Sequence, residues 1–181
     1  MYLKRMISVN HVQFCSHDFP RQWHYCSSYR YNTVIGIGGN IGDVKRRFKH
    51  LLHFLQRDKK LKVYQTSSIL KNPPFGYLDQ PFFYNAVIII KTNLQPHALL
   101  MHLHRVEKRF GRLRSFKDAP RTLDLDILFF DKREVKSKNL IIPHKEWYKR
   151  ESVMIPLMEV SMGTLKTRRL PQSRVLGGTY T

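Results

Sequence analysis

The stretch KDAPRTLDLDILFF, Lys117–Phe130, is the part of the chain from which the rest can be ordered. In its second half Leu123, Leu125 and Ile127 alternate with Asp124 and Asp126. A two-residue period predicts a strand with its apolar side chains on one face and both carboxylates on the other. Like charges this close repel, so a sheet carries them side by side only where a cation, an arginine or water relieves them. Mg2+ suits such a pair, because it takes one or two carboxylates and leaves its remaining positions to water and phosphate. Arg121, set in a turn by Pro120 just upstream, offers a planar fork that matches phosphate oxygens. The other reading of D-x-D alone is a solvated strand face.

Upstream, Gly111–Asp118 is a basic loop containing Arg112 and Arg114. Such a run is either a solvated charged surface or, beside the D-x-D strand, a lid whose arginines close on phosphates. Before it, Pro96 opens an amphipathic helix in which Leu99, Leu103, Val106 and Phe110 face inward, Glu107 lies on the last turn and Gly111 ends it. Pro81–Ile90 is the most apolar run and predicts a central strand. Asn85 within it is either satisfied by neighbouring backbone or held for a site. Leu61–Leu70 predicts another strand, stopped by the loop Lys71–Gly76 with its two prolines. The run TVIGIGG from Thr33 predicts a buried strand ending in glycines, followed by Asp43 as a helix N-cap. Val44, Phe48, Leu51, Leu52 and Leu55 then mark one face of a helix. Gly36, Gly38 and Gly42 miss the dinucleotide-binding spacing by one residue and no G-K-[ST] follows, so neither a Rossmann nor a Walker loop is supported. Downstream, Asp131–Asn139 predicts a charged hairpin, and Leu140–His144 returns to the core. The order strand, helix, strand, strand, helix, strand predicts an α+β fold: a ferredoxin-like β-α-β-β-α-β sandwich with helices on one face of a mainly antiparallel sheet.

Composition bounds the rest. The chain has 181 residues, 42% hydrophobic and 12% aromatic, enough for one domain with a sound core. Its two cysteines, Cys15 and Cys26, both fall near the N-terminus, so no disulfide framework is built and an intracellular, cytoplasmic protein is expected. No apolar run is long enough to cross a bilayer. A formal charge of +19, from 32 Lys and Arg against 13 Asp and Glu, calls for an anionic partner. Residues 1–32 are basic, aromatic and histidine-rich without usable periodicity, and read as a disordered extension outside a core domain at 33–160, with a loosely ordered tail at 161–181. His11, Cys15, His17, His24 and Cys26 match no common structural zinc spacing.

The run K-x-A-P-R-x-x-D-L-D-I-L, here Lys117 to Leu128, resembles the signature of the bacterial-type 6-hydroxymethyl-7,8-dihydropterin pyrophosphokinases of folate biosynthesis. Other segments follow that family's order: Gly36–Gly42 after the first strand, the P-P-x-G loop, the aromatic-x-N of Phe83–Asn85, Pro143-His144, Arg150 and Pro156-Leu157. The resemblance covers about residues 33–160. It implies transfer of diphosphate from ATP to the hydroxymethyl dihydropterin with release of AMP, two Mg2+ ions held by Asp124 and Asp126, and catalytic roles for Arg112, Arg114 and Arg121 beside them. It implies ATP binding by Glu107, Arg114, Arg121, His144 and Arg150, and pterin binding by Asn72, Pro73, Phe75, Phe83 and Asn85, with Phe83 stacking on the ring. The chain departs from the family at Ser152, where an aromatic residue usually forms the other wall of the slot; Trp147 and Tyr148 are near enough in sequence to replace it. Small-molecule substrates, a monomer, no specific nucleic acid and no membrane are expected. The contrasting reading is a basic nucleic-acid-binding protein on the same fold, supported by net charge and by Tyr29 and Tyr31 in a basic arm, and opposed by the central aspartates.

Overall fold

The computed structural model describes residues 1–24, 28–113 and 119–160. Among them one sheet contains eight strands: β1 (Leu3–Met6), β2 (Val12–Cys15), β3 (Arg21–Gln22), β4 (Tyr31–Gly39), β5 (Leu61–Thr66), β6 (Ile69–Asn72), β7 (Phe83–Thr92) and β8 (Asp124–Phe130). Helices α1 (Val44–Gln56), α2 (Pro96–Arg109) and α3 (Glu151–Glu159) join them, with a hairpin of β9 (Val135–Lys136) and β10 (Ile141–Ile142) after β8. Strands β8, β4, β7 and β5 lie side by side, each antiparallel to its neighbour. That is the fourth-first-third-second order of a ferredoxin-like unit, reached by the predicted β-α-β-β-α-β path.

The local reasons are those of the sequence pattern. Asp43 caps α1 by accepting a hydrogen bond from the Arg46 amide at 3.1 Å, worth about 1 kcal/mol. Val44, Phe48, Leu51, Leu52 and Leu55 are all buried beneath that helix. Pro96 stands at the start of α2, and Gly111, with φ +79°, takes the left-handed conformation that follows its end. Both helices pack on the face of the sheet that presents Ile35, Ile37, Ala86, Ile88, Ile90, Leu125 and Ile127. The opposite face presents Val34, Val87, Ile89 and Leu128, covered by Leu157 and Val160 at the C-terminal end of α3 and by Trp147. This second cover stops short of one end of the sheet, and the aspartates lie there.

Two differences from the sequence-based expectations concern strands. The predicted strand Leu61–Leu70 is two strands, β5 and β6, which pair in turn with the two halves of β7. The break is bridged by Ser67, whose amide donates to Val87 O at 2.8 Å while its hydroxyl accepts from Val87 N at 2.9 Å. A side chain thus replaces one backbone rung.

The second difference corrects the disordered extension expected at 1–32. Its described residues are built into the sheet: β2 pairs with β6, β1 pairs with β2, β3 pairs with β5, and β4 begins at Tyr31 instead of Thr33. Phe19 is 1% exposed and meets the ring of Phe48 at 6.4 Å. The backbone of a sheet edge recruits these strands through hydrogen bonds that leave no periodicity in segments of two to four residues. His11 and His17 are engaged with Glu151 and with Asp18 and Arg21, while Cys26 and the tail at 161–181 lie outside the described residues.

Candidate active site

The floor of the site is the end of β4. Gly38 stands opposite Asn85 of β7 on one side and Asp124 of β8 on the other; Gly36 stands opposite Val87 and Asp126. Strand alternation sends Asp124, Asp126, Asn85 and Phe83 to the face away from α1 and α2, where two glycines without side chains leave a trough between them. A Cβ added at Gly38 would lie 2.8 Å from Asn85 Oδ1, so this position must be glycine for Asn85 to keep its place. The resulting cavity is lined by Asn72, Pro73, Phe75, Phe83, Asn85, Arg121, Asp124, Asp126, His144, Arg150, Ser152 and Val153. With the Gly36–Gly38 floor, residues from six separate stretches of sequence border this one cavity.

One half of the cavity is ionic. Asp124 is clamped: Arg112 Nη1 reaches Oδ1 at 2.6 Å and Arg121 Nη1 reaches Oδ2 at 2.6 Å. Asp126 lies deeper, and its carboxyl is pushed up to about 7 by burial first and by the negative charge of Asp124 second, with Arg112 and Arg150 pulling the other way. A carboxylate pair in this condition is poised to gain from a cation. Two carboxylates beside an open cavity fit Mg2+, which fills its other positions with water and phosphate oxygens. His144 is placed by its amide, which donates to Leu128 O at 2.9 Å. Burial and then the Arg150 charge lower its pKa, and its Nδ1 is buried with no hydrogen-bond partner. A neutral imidazole with an unpaired nitrogen at a cavity wall can accept from, or donate to, a bound molecule.

The other half is a slot for something flat. Asn85 Nδ2 donates to Asn72 Oδ1 at 2.7 Å, and Asn72 Nδ2 donates to Pro73 O at 2.8 Å, a chain that fixes both amides at the cavity edge. The Phe83 ring forms one wall, with the Arg121 guanidinium 5.5 Å from its centroid. Ser152 and Val153 also line this cavity. Trp147 is not available to replace the missing aromatic. Its ring packs edge-on against Phe129 at 4.9 Å in the cluster covered by α3.

Glu107 and Arg112 sit beside this cavity and do not line it. Glu107 is 2% exposed, accepts from the Leu125 amide at 2.8 Å and is ion-paired with Arg112, so it ties α2 to β8. Burial raises its pKa and the Arg112 charge opposes the rise. The two residues border a second cavity with His104, Arg105 and Lys108. Arg114 lies outside the described residues. The sequence reading gave no role to Gly38 or to Asn40, which is 6% exposed. Asn40 Oδ1 accepts from the Arg121 amide at 2.8 Å, and its Nδ2 donates to Gln80 Oε1 at 2.9 Å and Pro81 O at 3.1 Å. It joins the Arg121 turn to the loop before β7. The signal that could have found it is its place directly after the glycine-ended strand.

Carboxylates fringed by arginines suit a polyphosphate with its cation, and a ring-and-amide slot suits a planar heterocycle. On a ferredoxin-like sheet the two together define a phosphotransferase with a small flat acceptor. Comparison with known proteins makes the class particular. The model of the 7,8-dihydro-6-hydroxymethylpterin-pyrophosphokinase family matches residues 34–162, and the chain belongs to that family. It is 43% identical over 142 residues to the 2-amino-4-hydroxy-6-hydroxymethyldihydropteridine pyrophosphokinase of Campylobacter jejuni, covering 78% of this chain and 90% of the relative. The protein of the same name from Helicobacter pylori is 38% identical over 144 residues, covering 78% and 88%, and that from Bacillus subtilis is 38% identical over 128 residues, covering 71% and 77%. The chain therefore has a pyrophosphokinase role in folate biosynthesis, with ATP as co-substrate, and the nucleic-acid reading is set aside. No helix among the described residues is long and apolar enough to cross a membrane.

Proposed function

We propose that the cavity holds ATP and 6-hydroxymethyl-7,8-dihydropterin side by side on the Gly36–Gly38 floor and joins them at its middle. The hydroxymethyl oxygen forms a bond to the β-phosphorus of ATP while the bond from that phosphorus to the α,β-bridging oxygen breaks. The diphosphate moves as a unit, AMP leaves, and the hydroxyl proton passes to solvent. The observation that carries this reading is the register: Gly38 sets the ionic residue Asp124 and the slot residue Asn85 on either side of one strand position. Two substrates bound in the two halves would meet with their reacting atoms adjacent, which is the main part of catalysis by positioning.

The residues divide the work as follows. Phe83 stacks on the pterin ring, Asn85 and the backbone of Asn72, Pro73 and Phe75 read its polar edge, and Val153 takes up apolar contact where Ser152 offers only a hydroxyl. Asp124 and Asp126 would hold two Mg2+ ions, which would supply positive charge to offset that developing on the phosphates. Arg112 and Arg121, now spent on Asp124, exchange that carboxylate for phosphate oxygens when the nucleotide is in place, and Arg114 joins them. His144 and Arg150 hold the nucleotide from the opposite wall, and Glu107 supports it by keeping Arg112 and the start of β8 in place. No side chain need form a covalent bond. The protein acts as a cytoplasmic monomer in this reading.

Calorimetric titration of a non-hydrolysable ATP analogue, with and without Mg2+, tests the metal assignment. The wild type should bind at least tenfold more tightly with Mg2+, and Asp126→Asn should lose most of that gain. Equal dependence on Mg2+ in both would remove the carboxylate pair from the metal site.

A further inference from the structure

We propose that the N-terminal hairpin β1–β2, which precedes the residues matched by the family, is a positioning element for the pterin side of the active site. The proposal rests on the assignment of that slot to the pterin. Its basis is where the hairpin makes contact. Strand β2 pairs with β6 over Val12↔Lys71, Gln13↔Leu70 and Phe14↔Ile69, so it ends beside Asn72, the last residue of β6. Gln13 Nε2 donates to Ser68 Oγ at 2.7 Å, at the other end of the same strand. The Phe14 ring lies 5.9 Å from that of Tyr84, the residue between Phe83 and Asn85. His11 Nε2 lies 3.2 Å from Glu151 Oε2, and Glu151 stands between Arg150 and Ser152. Three walls of the slot are thus each touched one residue away from the side chain that faces the cavity.

The physical consequence follows from what the contacts replace. Without β2, the outer edge of β6 would expose a row of unpaired backbone groups, and the Asn72-Pro73 turn would hang from a strand held on one side only. The hairpin supplies that second side. His11 is itself fixed between two partners, since its Nδ1 lies 3.0 Å from Ser8 Oγ while its Nε2 faces Glu151. It therefore ties the first turn of α3, with Ser152 and Val153, to the same hairpin that holds Asn72. The width of a stacking slot matters on the scale of fractions of an ångström, and rigid support around the contacting residues is how such a width is maintained. A slot with one aromatic wall has less contact to spare.

The test uses full-length variants and fluorescence titration of the dihydropterin in the presence of a non-hydrolysable ATP analogue and Mg2+, well below each variant's Tm. His11→Ala and Phe14→Ala should each weaken pterin binding about fivefold or more, while the affinity for the ATP analogue stays within twofold. Phe19→Leu is the comparison, because Phe19 belongs to the same N-terminal segment but packs against Phe48 under α1, away from the slot. It should lower Tm and leave the pterin affinity unchanged. Pterin affinity unchanged in both His11→Ala and Phe14→Ala would overturn the proposal, as would equal loss of pterin and nucleotide affinity, which marks general loosening. Asn85→Ala separates the proposal from its premise. If that variant binds pterin normally, the slot assignment itself fails; if it loses pterin while the hairpin variants do not, only the positioning role fails.

Discussion

Asp126 makes a pH-dependent prediction whose sign is opposite to that of most folded carboxylates. Its carboxyl is raised from 3.8 to about 7, so the folded protein keeps a proton there that the unfolded chain releases near pH 4. The unfolded state therefore binds fewer protons between about pH 4 and 7, and stability falls as pH rises through that window, then levels off above 7. A rise from 3.8 to about 7 corresponds to roughly 4 kcal/mol at most, and because Asp126 is only partly buried and lines an open cavity, solvent screening reduces this to about 2 kcal/mol. Asp126→Asn removes the ionisation while keeping the shape. In metal-free buffer the variant should be more stable than the wild type by about 2 kcal/mol at pH 8 and equal to it within about 0.5 kcal/mol at pH 4. Urea unfolding of both proteins at the two pH values measures this directly. A variant less stable than the wild type at pH 8, or a difference that does not change with pH, would refute the reasoning that burial and Asp124 outweigh the arginines around the Asp126 carboxylate.

Three further outcomes follow from named contacts. Gly38→Ala should weaken pterin binding at least tenfold with little effect on the ATP analogue, because its Cβ falls 2.8 Å from Asn85 Oδ1; titration of both ligands reads the split. Arg112→Ala should cost about 3 kcal/mol in urea unfolding, since it leaves buried Glu107 without its ion-pair partner, and adding Glu107→Gln should restore at least half of that loss. Phe19→Ala should cost about 3 kcal/mol in the same assay, the scale of a buried phenylalanine in a packed core; a loss below about 0.5 kcal/mol would mean that the N-terminal segment is not part of the core.

Where the chain has long elements, the sequence was readable because period and burial coincide. The helical spacing of α1 and α2, the apolar run of β7 and the alternation of β8 put most of the predicted residues in the core, while Phe110 is only partly buried and Phe82 is exposed; the D-x-D strand places both aspartates on one face. Asn85 was legible only as a choice between a satisfied amide and a site residue; its Nδ2 donates to Asn72 Oδ1, and the residue lines the cavity. Other features left weak signals. Helix α3 is apolar on most sides and contains Pro156, which argues against a helix interior in sequence. Strands β1 to β3 are too short for alternation, and the Ser67 bridge between β5 and β6 depends on a partner across the sheet. The glycine floor was visible as glycines, but what it separates becomes known only when the register of β7 and β8 on β4 is known. Trp147 had the right position in sequence to fill the slot, and the hydrophobic face under α3 claims it instead.

The central claim is that diphosphate leaves ATP as a unit at a site built on Asp124 and Asp126. Phosphorus NMR of a reaction containing the protein, ATP, Mg2+ and 6-hydroxymethyl-7,8-dihydropterin follows that group directly. The account predicts AMP and a pterin diphosphate ester appearing in equal amounts, absent when the pterin is omitted, and at least a hundredfold slower with Asp124→Ala or Asp126→Ala. Formation of ADP and a pterin monophosphate, or near-normal rates in either aspartate variant, would contradict it.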